Sequence, residues 1–147
     1  MKISTRGRYG TRALLDLAMR WGQGPVQLKD IAQNQEVSLH YLEHLIRPLI
    51  TAGLVRSMRG VHGGVWLAKP PSEIKLSKVL NVLVGSIAPV ECVEDPALCN
   101  RSERCATRDI WCEMKKVMDE VLESMSLQDL VIRQKAKERH IEAMYYI

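Results

Sequence analysis

Four cysteines, Cys92, Cys99, Cys105 and Cys112, all lie within "ECVEDPALCNRSERCATRDIWCEM", and the 147-residue chain has no others. Thiolates are soft ligands that suit iron–sulfur clusters and zinc. They can also form disulfides or pack as small apolar groups. Six, five and six residues separate them in turn. None of these gaps is the two-residue knuckle of structural zinc, which weakens that reading. Three of the four sit in a polar stretch broken by Pro89 and Pro96, where no apolar periodicity asks for buried residues. The N-terminus "MKISTRGRYG" is polar and basic, and no apolar run has transmembrane length, so the protein is expected to be cytoplasmic. That compartment keeps thiols reduced and argues against disulfides. A metal or cluster site, redox-active thiols and plain packing stay open.

A second set of reactive groups lies in "SLHYLEHLIRPLITAG". His40, Glu43, His44 and Arg47 fall at i, i+3, i+4 and i+7, one side of a helix. Such a stripe is usually solvated surface, and its neighbourhood decides otherwise. Residues 1–70 carry 10 Lys/Arg against 4 Asp/Glu, whereas residues 71–147 carry 11 against 13. A basic first half suits a polyanion.

The elements that must position these groups are legible from periodicity. Tyr9, Ala13, Leu17 and Trp21 predict an amphipathic helix over 6–21, stopped by "GQGP". Leu28, Ile31 and Ala32 give a short second helix, and "NQEVS" a turn. Ser38 then N-caps a third helix whose apolar side is Leu39, Leu42, Leu45, Ile46, Leu49 and Ile50. Pro48 should kink it, and Gly53 suits its C-terminal end. Leu54–Met58 and Val65–Ala68 flank a glycine-bearing turn and predict a hairpin closed by Pro70 and Pro71. Two short helices, the second entering a helix with a polar stripe, followed by a basic hairpin: this order is a winged helix-turn-helix over residues 1–71.

Residues 72–106 then hold a short helix ending near Gly85 and the cysteine loop. Residues 107–147 hold a long helix to about Ser124, a short capped helix opening at Ser126–Asp129, and a charged tail, either helical or loosely ordered. Trp111, Met114, Met118, Val121 and Met125 step by three and four, a seam for a second copy, with Ile110, Val117 and Leu122 as a further apolar flank. The fold class is mainly α with a small β-wing.

A recognition helix enters the major groove N-terminal end first. Ser38, His40 and Tyr41 sit where phosphate or base-edge contacts are made, and Glu43 can accept a hydrogen bond from cytosine N4. Arg59 in the wing suits a narrow minor groove, and Arg6, Arg8 and Arg12 suit phosphates. "RGVHGG" lacks a Walker lysine and leads into a strand, so a nucleotide loop is not expected. No nucleophile–base pair emerges, so no enzyme is expected. An electron carrier would leave the basic wing and the stripe without a role.

"STRGRYGTRALLDLA", "SLHYLEHLIRPLITAGLVRSMRGVHGGVWLAKPP" and "CATRDIW" resemble the IscR/NsrR-type winged-helix regulators, the Rrf-two family, in its iron–sulfur-binding branch. The resemblance implies a homodimer crossed through the long helix, bound to promoter DNA through Ser38, His40, Tyr41, Glu43, Ser57 and Arg59; the reading of the residues adds Arg6, Arg8 and Arg47 to that surface. It also implies an iron–sulfur cluster, 2Fe-2S favoured over 4Fe-4S, on Cys92, Cys99 and Cys105. Where the two-iron branch has a histidine ligand this chain has Arg108, which cannot ligate. Cys112 is one candidate fourth ligand, although it lies about 10.5 Å along the helix from Cys105. A carboxylate (Glu91, Glu94, Asp95 or Asp109), an exogenous ligand or an open position are the others. Zinc, thiol oxidation or a protein partner could also control the same dimer without a cluster.

Overall fold

A computed structural model describes residues 2–146; Met1 and Ile147, the outermost residues of the first and last predicted regions, lie outside the described residues. The order is α1 (Thr5–Met19), α2 (Leu28–Gln35), α3 (Leu39–Thr51), β1 (Val55–Met58), β2 (Gly64–Leu67), α4 (Leu76–Leu83), α5 (Glu91–Glu94), α6 (Ala106–Ser124) and α7 (Leu127–Tyr145). Single 3-10 turns at Pro71–Glu73, Pro96–Leu98 and Ser102–Arg104 join them. This is a winged helix-turn-helix with a long helix appended.

The core is built where the apolar stripes converge. Ala13, Leu14, Leu17 and Ala18 of α1 meet Leu42, Leu45, Ile46 and Leu49 of α3, Val55, Val65 and Leu67 of the wing, and Val79 and Leu83 of α4. A β-carbon on Gly7 would lie 2.6 Å from Val84 Cγ2, and one on Gly10 2.5 Å from Leu83 Cδ1. The two glycines therefore let α4 approach the α1 backbone closely. α7 returns to this core through Leu127 and Val131, and the chain is stitched there by Leu127 N–H to Ile74 C=O at 2.9 Å and Leu76 N–H to Met125 C=O at 2.9 Å.

The wing pairs antiparallel with Val55 opposite Leu67 and Met58 opposite Gly64. Val26, after the α1–α2 turn, adds a bridge to Val65 on the free edge of β2. A β-carbon on Gly64 would sit 2.4 Å from Val26 O, and one on Gly63 2.1 Å from Met58 O. Those positions must be glycine because backbone occupies the space.

Several expectations change. Trp21 lies beyond the end of α1 and is 45% exposed, since the helix stops at Met19 before the stripe reaches it. Leu39, in the first turn of α3, is also exposed. α3 runs through Pro48 to Thr51, and a Schellman closure ends it, with Gly53 N–H on Ile50 C=O and Leu54 N–H on Leu49 C=O. The last helix is long, reaching Tyr145, not short; the Ser126–Asp129 capping box starts it as read. Met125, read as part of the seam, and Leu122, read in the second flank, both pack against the chain's own core.

The turn between α2 and α3 bears one strained residue. Glu36 is the only non-glycine with positive φ among the described residues, at 55°, where it closes α2. Glu36→Gly should raise unfolding free energy by about 1 kcal/mol, since a left-handed conformation costs a side chain that much. Urea denaturation measures it; an unchanged or lowered midpoint would show that no strain is held there.

Candidate nucleic-acid interface and cysteine strap

α3 presents its expected face. Ser38 caps it, accepting Tyr41 N–H at 3.1 Å, and His40, His44 and Arg47 are exposed with Glu43 partly so. The 40/44 pair is in contact: their Nε2 atoms are 3.2 Å apart. The N-terminal half of α1 joins this surface through aromatic packing that spacing did not reveal. Tyr9 meets Tyr41 edge-on at 6.2 Å between ring centroids. The guanidinium groups of Arg8 and Arg12 lie over the Tyr9 ring at 5.6 and 5.2 Å. Arg12 Nε also donates to Gln35 Oε1 at 2.9 Å. Two cations thus stand beside the positive end of α3, where unpaired N–H groups already favour an anion. Arg6, exposed at the start of α1, extends the charge. In the wing, Ser57 and Arg59 are exposed, Ser57 on β1 and Arg59 just past it.

The cysteine segment folds as a strap of three short turns lying on α6. Cys92 is in α5, Cys99 follows the turn Pro96–Leu98, and Cys105 is the N-cap of α6. All four thiols are free and half-exposed, with Cys112 inside α6 next to Trp111. α5 packs on the second turn and on α6, and the second turn on the third. Yet among the described residues no three His, Cys, Asp or Glu side chains converge as a metal site. The donor types suit a cluster; as placed they do not enclose one.

What holds the strap is polar. Arg108 Nε donates to the Cys92 carbonyl oxygen at 2.8 Å, so the residue that cannot ligate ties down the first cysteine. Lys115 bridges Asp119 at 2.6 Å and Glu94 at 3.6 Å, and Ser86 Oγ donates to Glu94 Oε1 at 2.7 Å. The Lys115 ammonium is held above its ordinary range chiefly by its hydrogen bond to Asp119. Partners 16 or 21 residues away carry no local periodic signal.

One thiol is activated. Cys105 Sγ lies 3.1 Å from the Thr107 hydroxyl, and that hydrogen bond, with the Arg108 backbone N–H next, lowers its pKa below the ordinary thiol value. A helix N-terminus favours a thiolate in the same direction. The surface of α6 opposite the core is largely apolar and bare: Ile110, Val117 and Val121 are 52%, 58% and 47% exposed, and Ile110 and Val117 line a shallow depression with Glu113, Met114 and Met118.

Comparison with known proteins fits this geometry. Residues 3–133 match the family model described as "Rrf2: Iron-dependent Transcriptional regulator". The HTH-type transcriptional regulator CymR of Bacillus subtilis is 45% identical over 130 residues, covering 88% of this chain and 89% of that one. The solved structure of CymR, the global cysteine regulator of B. subtilis, superposes with a TM-score of 0.77 at 43% identity, over 90% of this chain and 98% of that one. The structure of T. potens IscR superposes at 0.74 and 40% identity, over 95% and 90%.

The Thr107 contact gives a test on reduced, metal-free protein. Thr107→Val removes the leading cause of the lowered Cys105 pKa, so less thiolate is present at neutral pH. Its alkylation-rate profile should move to higher pH. A profile identical to the wild type would remove Thr107 as the activating group.

Proposed function

Because the chain belongs to the Rrf2 family of transcriptional regulators, we propose that it works as a homodimer gripping promoter DNA, with the thiols of residues 90–106 setting that grip. This family regulates transcription and is not one of enzymes. No helix among the described residues is long and apolar enough to cross a membrane.

The observation that carries the DNA reading is the meeting of Arg8, Arg12, Tyr9 and Tyr41 at the N-terminus of α3. Ser38 and Tyr41, with Arg6 and Arg8, contact phosphate, fixing register. His40, Glu43 and Arg47 face base edges from the groove side of α3. Ser57 and Arg59 follow the adjacent backbone and minor groove. The second copy is called for by α6, whose face Ile110, Met114, Val117 and Val121 has no cover in one chain. Two heads joined there must reach half-sites about 34–36 Å apart, so a small change at the α6 pair alters affinity.

Two forms of thiol control follow. In the first, Cys92, Cys99 and Cys105 hold an iron–sulfur cluster, 2Fe-2S in preference to 4Fe-4S, with Cys112 or a carboxylate as the fourth ligand. The likeness to T. potens IscR and the family's description as iron-dependent support it. In the second, the thiols act without a cluster, by oxidation or zinc. The strap's unconverged cysteines and the lowered Cys105 pKa favour this form. Anaerobic purification with visible absorption, iron and sulfide assays separates them: a colourless protein whose DNA affinity still changes with oxidant selects the second.

With DNA selected from a random pool, Glu43→Ala should relax preference at one position of each half-site by about 1–3 kcal/mol. Arg59→Ala should weaken all sequences more evenly. Binding unaffected by both would misplace the surface. Val117→Asp should shift sedimentation to monomer and lower DNA affinity; a stable dimer would locate the seam elsewhere.

A further inference from the structure

We propose that His40 and His44 form a chelating site for a divalent, imidazole-seeking cation of the zinc, nickel or copper class, and that its occupancy excludes DNA. The chelate stands on geometry in the free chain, whereas the exclusion rests on the reading of α3 as the groove-facing helix.

Two histidines four apart on one helix face can bind one metal ion through both rings. Here the spacing is realised: the rings are edge-on, centroids 4.6 Å apart, with Nε2 facing Nε2 at 3.2 Å. With metal–nitrogen bonds of about 2.0–2.1 Å, that separation opens an angle of roughly 100° at the metal, close to tetrahedral, once both exposed rings turn so that their Nε2 lone pairs converge off the line between them. Both rings are exposed, so a hydrated ion can reach them and keep its remaining waters. Among the described residues no third His, Cys, Asp or Glu joins the pair, so water completes the shell and affinity is modest. The positive end of α3 opposes a cation only weakly at an exposed position.

The exchange balances without net proton release. In the neutral hydrogen-bonded pair one ring carries its hydrogen on Nε2 and shares it with the Nε2 lone pair of the other. To bind, that ring moves its hydrogen through water to Nδ1. Both Nε2 lone pairs then point to the metal, and both rings remain neutral.

Occupied in this way, neither Nε2 can contact a base edge or phosphate. A ligand that excludes another raises the other's apparent dissociation constant by one plus the ratio of its own concentration to its own dissociation constant. At metal concentrations ten times its own dissociation constant, DNA affinity should fall about tenfold.

The test uses the reduced full chain and Ni2+ as probe. Calorimetry should show one nickel per chain lost in His40→Ala and in His44→Ala and kept in His62→Ala. Nickel should then weaken binding to the selected DNA in the wild type, and this ratio, taken within each variant, should collapse towards one in both pair variants. If the pair variants bind as much nickel as the wild type, the cysteines or another group hold it and the site is overturned. If the pair binds nickel yet DNA affinity does not change, exclusion fails. A wild type that binds no DNA with or without nickel would sink the reading of α3, while the nickel stoichiometry still judges the chelate.

Discussion

α6 runs for 19 residues and buries none of them, although apolar side chains return along it every three or four positions. One side is settled within the chain, where Leu122 and Met125 lean on the core. The other side leaves Ile110, Val117 and Val121 in water. Fully burying such a side chain stabilises by roughly 1.5–3 kcal/mol, so a face of several is a strong demand for a partner. A second copy meets it symmetrically, each helix supplying the same face. In the proposed dimer, the position of the two heads follows from how these helices cross.

The cysteine strap sits where it can influence that crossing. Arg108 and Lys115 belong to the first half of α6, and they hold Cys92 and Glu94 of α5. Glu94 is also tied to Ser86, just past α4. α4 in turn packs on α1 at Gly7 and Gly10 with no spare room, and α1 carries Tyr9 to Tyr41 at the start of α3. From the strap to α3 every step is a direct contact. Close-packed interiors shift between discrete arrangements instead of yielding smoothly, which gives such a chain of contacts its capacity to switch.

Much of this was readable from residue types. The stripe of α3, its Ser38 cap, the hairpin around Gly63 and Gly64, and the capping box at Ser126 all follow from local periodicity or turn chemistry. The errors have a common cause. Trp21 and Leu39 fit an apolar spacing but lie at helix ends, where the next turn needed to bury them is missing. Met125 fits a seam and Leu122 its flank, but only the return of α7 decides which side of α6 the chain itself covers. Likewise the roles of Arg108, Thr107 and Tyr9 come from contacts across the fold, and no spacing rule reaches them.

The side chains proposed to meet DNA differ in how free they are, which divides their work. Arg12 is stacked on Tyr9 and bonded to Gln35, so part of the roughly 2 kcal/mol of rotamer entropy in an arginine is already lost before DNA arrives. A phosphate met by such a group costs less ordering at the moment of binding. Arg6, Arg47 and Arg59 make no ion pair among the described residues and keep that entropy to lose. The tethered arginine on α1 therefore suits sequence-independent anchoring, where every duplex offers the same phosphate in the same place. On the proposed surface the freer Arg47 of α3 suits reading, since its ordering cost is offset only where the base edge matches, whereas the equally free Arg59 of the wing follows the backbone and weighs on all sequences alike.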